Sequence, residues 1–258
     1  MEFRHPNGQL CGVYHYTDPY KSFFRGLFTP SGKDVVAPPP PDHPHHKGLQ
    51  FGLTTNKANF WEEPGAAVPN HDLPFGQQQN TKLELLSSGE GIGFTQKLLW
   101  RVGRQSIFNE VRTISVQETN DSYAWTWYTK LTAACDDVQI TSSVWQVPSY
   151  CSPWLNYGYC GLGLRLASDW FETSDVLPSN PACASTPEYV AVKGKGAQVS
   201  FKQAATPANA LFVTTFNRES PYGPDGPGFA FLGLVPIPRD LEQDPNVEAT
   251  YVIVVSDI

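Results

Sequence analysis

Alternation with a period of two, broken by turn residues, runs through almost the whole chain and leaves little room for anything but β-structure. In 91–102, Ile92, Phe94, Leu98, Trp100 and Val102 share one face while Thr95, Lys97 and Arg101 share the other, the pattern of a half-buried strand. Runs of the same kind occupy 10–16, 49–53, 81–86, 108–116, 123–131, 138–144, 159–166, 189–192, 198–201, 210–216, 228–235 and 250–255. Ser88-Gly-Glu-Gly91, Val102-Gly-Arg104, Thr119-Asn-Asp-Ser122, Ala134-Cys-Asp-Asp137 and the proline-glycine stretch 221–227 punctuate them. No segment of ten or more residues keeps a 3.6-residue period free of proline and glycine, so helix is expected to be minor. The expected fold is all-β: a large two-sheet antiparallel sandwich spanning residues 1–258 as one domain.

Three long connections interrupt the meander, at 29–47, 59–80 and 168–186. Such loops on a rigid β scaffold usually carry function. The first ends in the densest chemical signal of the chain. Half of the six histidines, His43, His45 and His46, fall within four residues, after the proline run 38–41 and between Asp42 and Lys47. Imidazole titrates nearest neutrality and is the commonest transition-metal ligand, so the cluster points to proton transfer or metal binding. A solvated proline-rich loop is the plain alternative. The cluster runs straight into the apolar run 49–53, which holds it at a strand start. In an extended segment His43 and His45 project to one side and His46 to the other. A kink at Pro44 would instead turn His45 and His46 inward.

For acid/base work one imidazole carries the proton while Asp42 fixes its tautomer. Metal binding needs further ligands, for which His15, His71, Glu62 and Glu110 are the candidates. No second His/carboxylate motif has metal-like spacing, so neither a metal nor a cofactor is expected. Asn59-Phe-Trp-Glu-Glu63 offers Trp61 as a shelf beside Glu62, or else a core tryptophan with solvated glutamates. Glu110 and Arg112 share a strand face, which suits either an ion pair, a solvent face or a groove lining. Arg165 lies opposite Leu162, Leu164 and Leu166 and can reach an oxygen in the same groove.

Composition narrows the partners. With a net charge of −7 and scattered Lys and Arg, nucleic acid and anionic membranes are poor guesses. No apolar run reaches the roughly 20 residues of a membrane span, and Met1-Glu-Phe-Arg-His5 lacks a signal core, so a cytoplasmic protein is expected. Five cysteines, Cys11, Cys135, Cys151, Cys160 and Cys183, show no CxxC spacing and read as reduced thiols. Gly161-Leu-Gly163 is not a phosphate loop, and GxSxG, HExxH and P-loop motifs are absent. Seven tryptophans and 13% aromatic residues suit both a sandwich core and a cleft that stacks on carbon skeletons.

Phe28-Thr-Pro-Ser-Gly-Lys33, then Pro41-Asp-His-Pro-His-His-Lys-Gly-Leu49, then Asn59-Phe-Trp61, resembles the opening of the DUF6807 family, also labelled "methane oxygenase PmoA-like". Members typically show TPSGK, then DHPHHRGL, then a VDFW-like segment. Downstream, Trp100, Glu110-Val-Arg112, Leu131-Thr132 and Gly161-Leu-Gly-Leu-Arg165 echo the family order more loosely. Lys47 stands where the family usually has Arg, and lysine cannot fork a carboxylate bidentately. The resemblance implies a galactose-mutarotase-like β-supersandwich, a fold whose enzymes act on sugars with paired acid and base groups. Nothing in the residues supports the oxygenase label.

The function expected from these readings is cofactor-independent acid/base catalysis, an isomerase, lyase or cyclase acting on a small oxygenated organic molecule such as a sugar derivative or natural-product intermediate. In this scheme His43, His45 and His46 shuttle protons with Asp42. Glu62 or Glu110 is the complementary acid or base. Lys47 and Arg165 polarise an oxygen, Arg112 lines the binding groove, and Trp61, Trp127, Trp145 and Tyr157 wall it. A metal-dependent, His-ligated oxygenase or hydrolase is the second possibility and a non-catalytic carbohydrate-binding module the third. A homodimer is compatible with the acidic, edge-bearing sandwich.

Overall fold

The computed structural model describes residues 1–39, 43–65, 72–87, 92–119, 121–141, 161–166, 175–177, 189–194, 196–205, 210–217, 229–236 and 244–258. Among these residues the chain is all-β, with seventeen strands and no helix. One sheet has seven strands: β1 (Glu2–Arg4), β2 (Leu10–His15), β3 (Phe23–Leu27), β4 (Leu49–Gly52), β11 (Gly161–Arg165), β16 (Phe229–Pro236) and β15 (Ala210–Asn217), in that spatial order. The other has eight, in the order β12 (Asp175–Leu177), β13 (Tyr189–Gly194), β14 (Ala197–Ala205), β17 (Val247–Asp257), β9 (Ser122–Ala133), β8 (Gln105–Thr119), β7 (Ile92–Val102) and β6 (Gln77–Leu85). Every pairing within them is antiparallel. A short pair, β5 (Thr54–Thr55) with β10 (Ile140–Thr141), stands apart.

The alternation that defines the long strands defines the core. On β7, Phe94, Leu98 and Trp100 are buried as their spacing predicts, and Lys97 on the other face is exposed. Trp125 of β9 packs against Phe24 of β3, with ring centroids 4.8 Å apart, and edge-on against Phe3 at 5.2 Å. Phe51 of β4 meets Trp100 of β7 at 6.1 Å. The two large sheets therefore pack face to face through aromatic side chains, which dominate the buried area. A two-residue connection opened by Gly103, at φ +56°, joins β7 to β8, where a left-handed first position matches the twist of the hairpin.

Several boundaries differ from the sequence expectation. β3 was masked by its composition, since Phe23-Phe24-Arg25-Gly26-Leu27 buries four of its five positions and shows little alternation. β6 begins at Gln77, inside the expected loop 59–80, because Gln and Asn give no hydrophobic signal. β12 lies inside the expected loop 168–186. Of the expected strand 138–144, residues 142–144 lie outside the described residues. Cys11 and Cys135 are free thiols; Cys151, Cys160 and Cys183 lie outside the described residues. Among the described residues no helix is long and apolar enough to cross a membrane.

The central strands β4 and β11 position the site. Both are buried along their whole length. Leu49, Phe51, Leu162 and Leu164 enter the sandwich core, so Gln50, Gly163 and Arg165 must project to the opposite face. That outer face is also covered, and what covers it is chemical.

Candidate functional site

Pro44 sits at the second position of a tight turn in which the backbone N–H of His46 donates to the carbonyl of His43 at 2.9 Å, a place its fixed φ favours. The turn cancels the side-to-side alternation of an extended chain and brings all three imidazoles into contact. His43 stacks on His46 at 4.9 Å, His45 meets His46 edge-on at 4.4 Å, and His43 lies 5.7 Å from His45. All three are buried, with relative exposures of 9%, 4% and 2% in sequence order. Gly48 then redirects the chain into β4 with φ +81°. Asp42 lies outside the described residues.

Arg165 of β11 reaches the turn, its Nη1 lying 3.1 Å from Nδ1 of His46. A guanidinium can only donate, so Nδ1 accepts and the ring proton of the neutral His46 sits on Nε2. Burial, then the neighbouring His45 and Arg165, hold the His46 pKa well below its ordinary value. Burial, then Lys21, push His45 down to about 2. Both rings are therefore neutral across the physiological range, and His46 presents a neutral N–H donor.

The second loop is tied to the same place by an Asx turn. Asn59 Oδ1 accepts from the backbone N–H groups of Trp61 and Glu62, each at 2.9 Å, and Asn59 Nδ2 donates to Glu62 Oε2 at 3.0 Å. Trp61 stands edge-on to His46 at 6.5 Å. It packs over Gly52, where a Cβ would come within 2.8 Å of the Phe60 carbonyl oxygen.

A third segment, 18–22, completes the cluster. Asp18 Oδ1 caps the N–H groups of Tyr20 and Lys21, at 2.8 and 3.2 Å. Its other oxygen accepts from Lys47 Nζ at 2.6 Å, and Glu63 Oε2 lies 2.7 Å from the same ammonium. Burial pushes the Asp18 pKa up, but the hydrogen bonds from Lys47 and the two N–H groups outweigh it and hold the carboxyl below its usual range. Burial raises the Glu63 pKa, and the nearby Lys21 and Lys47 do not fully reverse this. Lys21 is only 1% exposed. Its ammonium donates to the carbonyl oxygens of Trp61 and of His45, the latter at 3.4 Å, and lies 5.9 Å from the Trp61 ring centroid. Burial brings its pKa down to about 8 against the opposing pull of Glu63.

The structure thus gathers His43, His45, His46, Lys47, Trp61, Glu62 and Arg165 of the sequence candidates. It places Glu110, Arg112 and Trp127 elsewhere, in the sandwich interior. Arg112 forks Glu110 at 2.7 and 2.9 Å, and Glu110 also accepts from Trp100 Nε1 and Thr129 Oγ1, each at 2.7 Å. Arg112 further donates to Tyr14 OH and Gln78 Oε1 and lies over the Trp127 ring at 4.6 Å. Glu110 accepts all four of these hydrogen bonds inside a fully buried network, apart from the histidine turn. Lys47, expected to polarise a substrate oxygen, is instead clamped between two carboxylates. His15 lies tilted against Phe23, ring centroids 5.3 Å apart, and hydrogen-bonds Thr17. Trp145, Tyr157 and His71 lie outside the described residues. Among the described residues, no three His, Cys, Asp or Glu side chains converge in a geometry that can hold a metal ion.

Lys21, Asp18, Glu63 and Gln50 are the site residues that sequence reasoning missed. The stretch 16–22 looks like a polar connection, and no spacing rule turns its ammonium inward. The chain belongs to the DUF6807 family, a family of unknown function, which it matches over residues 5–257. No curated protein matches it.

Proposed function

We propose that the chain is a cofactor-independent acid/base enzyme, an isomerase, lyase or cyclase of a small oxygenated organic molecule, with its site at the histidine turn. The observation that carries this reading is the fixed tautomer of His46, a buried neutral N–H donor held by Arg165 beside an ammonium whose pKa is about 8. A neutral imidazole donor can hydrogen-bond a developing oxyanion without first giving up its proton. A lysine titrating near 8 can carry a proton at working pH. The proton-carrying role therefore falls to Lys21, since His45 at about 2 is too weak a base. Glu62, held by Asn59, is the complementary carboxyl, and Trp61 supplies the apolar wall.

With this reading go the finer expectations of a galactose-mutarotase-like supersandwich, a cytoplasmic location and pairing into a homodimer. Oxygenase chemistry is not part of it.

The test is exchange of carbon-bound hydrogen next to a carbonyl. D-Fructose, dihydroxyacetone and a 2-hydroxy acid are incubated with the protein in deuterium oxide and followed by NMR. Exchange should rise with pH through an apparent pKa near 8 and vanish in Lys21→Met. Undiminished exchange in that variant, or none with the unaltered protein, would sink the proposal.

A further inference from the structure

The polar side chain on β4 is Gln50, set between Leu49 and Phe51 and fully buried. Its Oε1 accepts from the backbone N–H of Lys47 at 3.1 Å, which fixes the amide orientation and leaves Nε2 as the free end. That Nε2 has no hydrogen-bond partner, and neither has Nδ1 of the buried His45. An unmet buried donor or acceptor costs about 1–3 kcal/mol, so two such atoms on one short segment mark places where a ligand's polar groups belong.

The backbone beside Gln50 carries no side chains on this face. Gln50 is in register with Gly163 of β11, and Gly163 with Gly233 of β16. Directly opposed residues project from the same sheet face, so the row presents an amide next to two positions without side chains. Gly161 needs its φ of +120°, but Gly163 is not among the positive-φ residues, so backbone conformation does not explain that glycine. Glycine inside a strand marks a place where a ligand or another backbone approaches closely.

The charges around the row select the ligand. Lys21, Lys47 and Arg165 stand against Asp18, Glu62 and Glu63, and both carboxylates next to Lys47 are already on it. Among the described residues three positive groups thus face three carboxylates, a balance that does not favour an anion. A hydroxyl satisfies Gln50 Nε2 as an acceptor and matches His45 Nδ1 in either tautomer, whereas a carboxylate or phosphate matches only a protonated Nδ1. We infer that the row Gln50–Gly163–Gly233 is the recognition subsite for an uncharged polyhydroxylated molecule, one of whose hydroxyls bridges Gln50 and His45. This rests on the acid/base reading above and names its substrate class.

The test uses D-glucose, D-xylose and myo-inositol as uncharged probes, with D-glucuronate and D-glucose 6-phosphate as charged ones, by saturation-transfer NMR and calorimetry on the full chain. At least one uncharged probe binds more tightly than either charged one. Gly163→Ala, whose methyl group would stand in the row, weakens that binding about tenfold, and Gln50→Glu, which keeps the acceptor and removes the donor, does the same by the loss of one good hydrogen bond. If Gly163→Ala fails to fold, Gln50→Glu decides. Tighter binding of a charged probe, no binding of any uncharged probe, or unchanged affinity in folded variants overturns the inference. Binding without proton exchange removes only the acid/base reading, and exchange with a probe that Gly163→Ala leaves unaffected removes only the subsite.

Discussion

Lys21 shows what a single buried charge does to a small domain. Its ammonium has exchanged water for two backbone carbonyls and an aromatic face, a poorer solvent for a cation, so its pKa falls from 10.5 to about 8. Below about pH 8 both folded and unfolded chains hold the proton. Between about 8 and 10.5 the unfolded chain holds more, so stability rises with pH, and the whole gap is worth about 3 kcal/mol. Tyr123, pushed up to about 12 by burial, has the opposite sign above its ordinary value of 10. Cys11, whose thiol burial raises from 9.0, opposes it likewise above that value, so the clean window is pH 8–9. The stability difference between the unaltered protein and Lys21→Met, measured by urea denaturation, should climb across that window; a flat difference would mean that the ammonium is better solvated than the structure shows. None of this was legible in the sequence, where Asp18 and Lys21 sit in a polar stretch without alternation. The histidines were legible because a tight turn keeps residues that are close in sequence close in space.

At the scale of elements, legibility followed the faces. Strands with one face on the core and one toward solvent, such as β7 and β8, announce themselves by alternation, and Trp100 and Lys97 were assigned correctly. β4 and β11 were found as strands, but burial of their second face was not, because Gln50 and Arg165 look like surface residues until the turn at 43–46 and the loop at 59–63 fold over them. The join between turn and strand is Gly48. A side chain there would pay twice, for the left-handed φ of +81° and for a Cβ placed 2.2 Å from the Phe24 carbonyl oxygen, which belongs to a strand and cannot move cheaply. Gly8 has a similar φ of +89° with nothing within 4 Å, so it isolates the first term. Gly8→Ala should cost about 1–2 kcal/mol, and Gly48→Ala at least about 2 kcal/mol more, by chemical denaturation. Equal losses would show that β3 yields at this contact.

Across the whole molecule, two polar networks share one β-body and are joined by the segment 18–22. On the outer side Asp18 and Lys21 serve the histidine turn. On the inner side the Tyr20 carbonyl accepts from the Gln78 N–H at 2.7 Å, while Gln78 Nε2 donates to Phe51 and its Oε1 accepts from Arg112. Protonating the turn should therefore strain the fold as a unit. His45 and His46 are held neutral far below 6.5, whereas in the unfolded chain they charge near that value. The unfolded chain then binds more protons below about pH 6.5, so their contribution is complete above that pH and is lost as it falls. Each group contributes a slope of about 1.4 kcal/mol per pH unit once the unfolded side is protonated. Asp18, whose carboxyl is held low, adds in the same direction only near pH 4, and Glu63, raised above 4.5, acts in the opposite direction, so over pH 6 to 5 the imidazole contribution is read as the difference between the unaltered protein and His45→Gln. Urea midpoints over that interval should fall steeply in the unaltered protein and about half as steeply from this source in His45→Gln. The same neutrality bears on turnover: the acid limb of any pH–rate profile should show no ionisation near 6.5 assignable to His45 or His46. Stability maintained down to pH 5 would mean that the folded turn accepts protons, and would return the proton-carrying role from Lys21 to the histidines.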